Sequence, residues 1–124
     1  MGYVAYGSGS VTLKDEVDME TVLNILNKED NFGNSDESGM EGVIEVRYDG
    51  NWHEEEVREV LTEIIPYITE GCIDYEGDEN CYWRYQFDAK LQQWNELFGT
   101  ITYDNPKPFT KSTGSVLTDT RSVK

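Results

Sequence analysis

Residues 51–69, NWHEEEVREVLTEIIPYIT, carry the plainest structural statement in the chain. Val57, Val60, Leu61, Ile64 and Ile68 recur at offsets of three, four, seven and eleven, which lines one side of a helix. Glu54, Glu55, Glu59 and Glu63 take the other side. Asn51 is expected to cap this helix, with Glu54 three residues on reaching back to the cap's own amide, and Gly71 is expected to stop it. Glutamates in the first turn complement the positive end of the helix dipole. Pro66, which has no amide hydrogen, should bend or tighten the last turn. The apolar stripe needs a sheet beneath it.

Upstream, VIEVRY (43–48) alternates as a strand does, with Ile44, Val46 and Tyr48 on one side, and an Asp-Gly turn leads from it into the helix. Before it, KEDNFGNSDESGMEG (28–42) is rich in Asn, Gly, Ser and acid and reads as a long exposed loop. Asp30 and Glu41 stand at the ends of a window the size of an EF-hand loop. Phe32 and Ser35 occupy positions where that loop needs an oxygen ligand and a glycine, so no calcium site is expected. Asp18 should cap a first helix whose apolar face is Met19, Val22, Leu23 and Leu26, with Val17 and Val22 stapled around the cap. YVAYGSGSVTL (3–13) reads as a strand with a bulge or twist at Gly7 and Gly9. The two strand-then-helix units are similar in layout.

Downstream of Gly71 the pattern becomes a meander: CIDYE, CYWRYQF and FGTITY are short, β-branched or aromatic, and separated by turn residues. LQQWNEL fits either period and is read as strand because of its neighbours. Placing Ile73 on the same face as Trp83, Tyr85 and Phe87 sets Ile73 opposite Trp83 and leaves 76–80 as the loop. Cys72 and Cys81 then point to opposite faces, so free thiols are expected. The fold class that follows is α+β: two helices on one face of a mostly antiparallel sheet, in the order β-α-β-α-β-β-β, with a ferredoxin-like plan as the nearest common arrangement.

At 124 residues the chain is one domain by size. Its 25 acids against 10 bases give a formal charge of -15, which excludes a binder that works by neutralising phosphates and points to basic partners. Residues 105–124, NPKPFTKSTGSVLTDTRSVK, read as a flexible basic tail. Four bases against one acid give +3 there, against -18 for the acidic domain at 1–104. No apolar run suits a signal peptide or a membrane span, so a cytoplasmic protein is expected.

Catalytic chemistry has little to stand on. His53 is the only histidine and reads as a capping or surface residue, because no serine or cysteine near it has a nucleophile's context. One histidine and two cysteines on opposite faces do not make a zinc site. Acid pairs are too common here to mark a hydrolase, and no cofactor is expected. The acids are nonetheless organised. Glu54, Glu55, Glu59 and Glu63 follow one helix face, and Asp74, Glu76, Asp78 and Glu79 crowd one loop. Carboxylates at that density can stand in for phosphates before a groove of Lys and Arg.

In size, acidity, α+β pattern and want of catalytic residues, the chain resembles the small anti-defence proteins of phages and mobile elements, such as anti-CRISPR and anti-restriction proteins. The resemblance is one of profile, without a signature motif. It implies a non-enzymatic inhibitor that acts in the host cytoplasm on a nuclease or other nucleic-acid-binding protein by nucleic-acid mimicry, through faces such as Glu55, Glu59 and Glu63. Direct nucleic-acid or membrane binding is not expected, and the protein should be a monomer or small oligomer. Two other classes stay open. One is a ligand- or nucleotide-sequestering protein, with Tyr82 and Trp83 lining a pocket and Arg84 carrying the ligand's charge; the other is a structural or assembly module.

Overall fold

The computed structural model describes residues 3–99. Six strands form one antiparallel sheet: β1 (Val4–Leu13), β2 (Asp36–Glu37), β3 (Val43–Asn51), β4 (Ile68–Glu76), β5 (Tyr82–Asp88) and β6 (Gln93–Gly99), in the spatial order β2-β3-β1-β4-β5-β6. Helices α1 (Met19–Leu26) and α2 (Glu54–Glu63) lie in the first two long connections. This is the α+β arrangement expected, with a short extra strand. β3 and β4 both run antiparallel to β1, which lies between them. The unit β3-α2-β4 is therefore a split β-α-β of the ferredoxin-like kind, and α1 leads from β1 to the short β2, with β3 lying between those two strands.

Strand alternation assigns the two faces of the sheet. Val11, Ile44, Val46, Tyr48, Ile73, Tyr75, Trp83, Tyr85 and Phe87 turn toward the helices and merge with Val22, Leu26, Val57, Leu61 and Ile64 in one core. Ser8, Ser10, Glu45, Arg47, Asp74, Arg84 and Gln86 turn the other way, onto a face that no described helix covers. The α2 stripe behaves as its spacing requires. Val57, Val60, Leu61 and Ile64 are each at most 4% exposed, and burial of such side chains stabilises by about 1.5–3 kcal/mol apiece.

Several boundaries move. His53, not Asn51, is the N-cap of α2, and its side chain makes no capping hydrogen bond. Asn51 and the Asp49–Gly50 pair remain in β3 because they are rungs of the ladder opposite Val4, Tyr6 and Ala5. Pro66 sits in a 3-10 turn, Ile65–Tyr67, that closes the helix, so Ile68 starts β4 and Gly71 lies inside that strand. Asp18 does cap α1, accepting a 3.2 Å hydrogen bond from the amide of Glu20, an arrangement worth about 1 kcal/mol.

The segment 28–42 is not simply exposed. A 3-10 turn at Asp30–Phe32 drives Phe32 into the core, where it meets the edge of Tyr48 at 5.0 Å between centroids. Ser35 and Glu29 are buried as well. Gly7 and Gly9 stay in register, and the irregularity of β1 falls instead between Thr12 and Leu13. Their lack of a side chain serves close packing. A Cβ on Gly9 would lie 2.6 Å from the Cα of Ile73, and one on Gly7 would press into the ring of Tyr75.

In the β4-β5 hairpin the expected face is right and the register is two residues off. Tyr75 faces Trp83, Ile73 faces Tyr85, and residues 77–81 make the connection through a 3-10 turn at Asp78–Asn80. Cys72 turns to the open face and Cys81 is exposed, both as free thiols. LQQWNEL supplies β6, which continues to Gly99; the rest of the expected strand FGTITY and the basic tail at 105–124 lie outside the described residues. None of the described helices is long and apolar enough to cross a membrane.

Candidate functional site

The outer side of α2 is built by elimination. Its inner stripe is fixed to the sheet, so the positions left over face solvent, and at those positions the sequence supplies acid. Glu54 pairs with Arg58 at 2.9 Å, one turn on, and Arg58 also binds Glu96 of β6 at 2.7 Å. Glu63 is tied across to Lys28, just beyond α1, at 2.7 Å. Glu55, Glu56 and Glu59 are exposed and have no cationic partner among the described residues. Glu55 and Glu59 stand four residues apart, about 6 Å along the axis.

The second group of acids does not join this ridge. Asp74 and Glu76 alternate with the inward-facing Ile73 and Tyr75, which puts them on the opposite side of the sheet from α2. Asp78 is exposed in the connection after β4. The side chain of Glu79 lies outside what is described. Two acidic surfaces therefore stand back to back, with the core between them.

On the open face, Arg47, Ser8, Asp74, Arg84 and Leu97 form one row across five strands. Arg84 grips Asp74 with two N–H groups, at 2.6 and 3.1 Å, and that hydrogen bonding holds the Asp74 carboxyl below its usual range and the guanidinium's own pKa above its usual value. Arg47 is similarly engaged by Glu45 at 2.6 Å. The next row places Tyr6 between Asp49 and Glu76, with Tyr82 beyond. These residues border an open trough of about 570 Å³. Tyr82 and Arg84 thus share the open face, while Trp83 turns into the core against Trp52 and Tyr75. Arg58 is on the helix side, away from Arg47 and Arg84.

No known protein family, curated protein or solved structure matches the chain.

Where β3 enters α2, a polar cluster forms that spacing did not disclose. Glu29, 5% exposed, accepts from the amide of Asn31 at 2.8 Å and meets Nδ1 of His53 at 2.6 Å. That hydrogen bond, more than the nearby charge, raises the His53 pKa above its ordinary 6.5. The Tyr48 hydroxyl accepts from Asn31 and from the amide of His53, each at 3.3 Å, and donates to the carbonyl of Asn51; burial raises its pKa. The cluster clasps the 28–35 segment to the start of α2. Its only sequence signal is Phe32, an apolar residue within a polar run, which requires its neighbours to enter the interior. Among the described residues, no three His, Cys, Asp or Glu side chains are placed to hold a metal.

Proposed function

We propose that this protein is a non-enzymatic binding protein whose α2 carboxylate ridge engages a basic, nucleic-acid-handling protein, acting as an inhibitor by nucleic-acid mimicry. The observation that carries the reading is the uncompensated acid of that ridge. Of its carboxylates, Glu54 and Glu63 are held by Arg58 and Lys28, while Glu55, Glu56 and Glu59 are left without a cation among the described residues. The helix beneath is fixed by its buried stripe, so the backbone that carries the charges needs no further ordering. A groove of Lys and Arg built for phosphates meets a comparable array, and a net charge of -15 steers the encounter. Asp74, Glu76 and Asp78 add to the long-range field from the far side of the sheet and make no contact in this mode.

A small-ligand role around Tyr82 and Arg84 has less to support it, because Asp74 already occupies the guanidinium. The experiment is capture from a host lysate on the immobilised full chain at low and high salt, beside a Glu55→Lys, Glu59→Lys, Glu63→Lys variant. The expected result is a nucleic-acid-binding protein that is lost with salt and with charge reversal, and whose grip on DNA or RNA the chain competes away. Capture indifferent to both treatments overturns the reading.

A further inference from the structure

The two edges of the sheet differ. β2 has two residues, both acidic, and offers little to pair with. β6 has seven, contains neither proline nor lysine, and among the described residues pairs on one side only, with β5. Sheet edges of that length usually carry a device against further pairing. The one charge on β6, Glu96, is taken up by Arg58.

Beside this edge runs a cleft of about 380 Å³ between α2 and β6. Leu61, Ile65 and Trp94 give it an apolar wall, with Trp94 anchored by its indole N–H donating to the carbonyl of Leu61 at 2.8 Å. The crest of α2 above it bears Glu55 and Glu59. Tyr85 also lines the cleft. Its ring is buried, with the Arg58 guanidinium over it at 5.7 Å, and Arg58 also pairs with Glu54 and Glu96. At the end of β6, Phe98 is 79% exposed on the helix side and Leu97 44% exposed on the other.

We infer that β6 receives an extended basic segment of the partner protein as a seventh strand. Alternate Lys or Arg side chains of that segment run their stems along Leu61, Ile65 and Trp94 and bring their charged ends to Glu55 and Glu59. The residues between them lie on the open side beside Leu97. Main-chain hydrogen bonds along the edge supply affinity without regard to sequence, and the cleft selects the alternation. A second copy of this chain, itself at -15, is repelled, whereas a basic strand is drawn in. The inference rests on the acidic-ridge reading and adds how the partner's backbone is held.

The test titrates the ¹⁵N-labelled full chain at low salt with an eight-residue peptide alternating lysine and valine, and with the same peptide N-methylated at every second residue. Expected are amide shifts concentrated in Gln93–Gly99, cross-strand NOEs to the peptide, and at least a tenfold weaker affinity after methylation. Equal binding of the methylated peptide, or shifts confined to α2, overturns strand addition and leaves the acidic-ridge reading standing. Binding indifferent to salt and to Glu55→Lys, Glu59→Lys overturns both. No binding, self-association through the same amides at rising protein concentration, or NOEs from β6 to residues 100–124 in the free chain each overturn the inference.

Discussion

Nδ1 of His53 lies 2.6 Å from the Glu29 carboxylate, joining the residue that starts α2 to a side chain buried 24 positions earlier. The folded-state pKa of His53 is raised, so the pair's contribution to stability is full below about pH 6.5 and is lost as pH climbs through the raised value. Histidine resonances followed by NMR should titrate above 6.5, and in Glu29→Gln they should fall back toward it. Thermal scans should show the native chain losing Tm relative to Glu29→Gln as pH rises from 6 to 8. A native His53 that titrates at or below 6.5 would contradict this.

The core tyrosines should answer differently to loss of the hydroxyl. Tyr48→Phe removes a group with three hydrogen-bond partners and should cost about 1–2 kcal/mol. The Tyr75 hydroxyl is buried without a partner among the described residues, so Tyr75→Phe should be neutral or stabilising in urea denaturation. Burial pushes the Tyr85 pKa up to about 12. Above pH 10 the unfolded tyrosine ionises first and stability falls; Tyr85→Phe should blunt that fall.

Phe32→Ala tests whether the polar 28–42 segment belongs to the core. The ring is fully buried against Tyr48, and its loss should cost about 3–5 kcal/mol, with a matching drop in the urea midpoint. A solvated loop would give almost no change.

Gly9→Ala drives a methyl group onto the β4 backbone at Cys72 and Ile73, where nothing can rotate aside. Destabilisation of about 2–3 kcal/mol, a fall in Tm of roughly 10–20 °C, is expected. Gly39→Ala, with no atom near its added Cβ, is the control and should hold Tm within a few degrees.

What could be read from sequence was what depends on local period. The stripe of α2, the cap at Asp18 and the shared face of Ile73, Trp83, Tyr85 and Phe87 all follow from side-chain geometry within one element or hairpin. Boundaries set by partners could not be read the same way. Asn51 looks like a cap until Val4 is seen opposite it, and the β4-β5 register depends on a 3-10 turn at Asp78–Asn80. Polar composition hid Phe32 and Glu29, since one buried ring outweighs many solvated neighbours. For the candidate site, the helix ridge was legible as a single face. The side to which Asp74 and Glu76 turn was not, because it follows from strand alternation in β4, which faces them away from α2.

The position of β1 also bears on the order in which the molecule is made. Its neighbours on either side, β3 and β4, end at residues 51 and 76, so the middle of the sheet leaves the ribosome before both strands that hold it. Until then β1 lacks at least one of its two neighbours, and the ladder partners of Val11 and Ala5 each close a loop of more than thirty residues. Closure over such spans is slow compared with helix formation. During synthesis the nascent chain therefore holds a central strand with at least one unpaired edge, and the interval before residue 76 emerges is when it most needs protection from other chains.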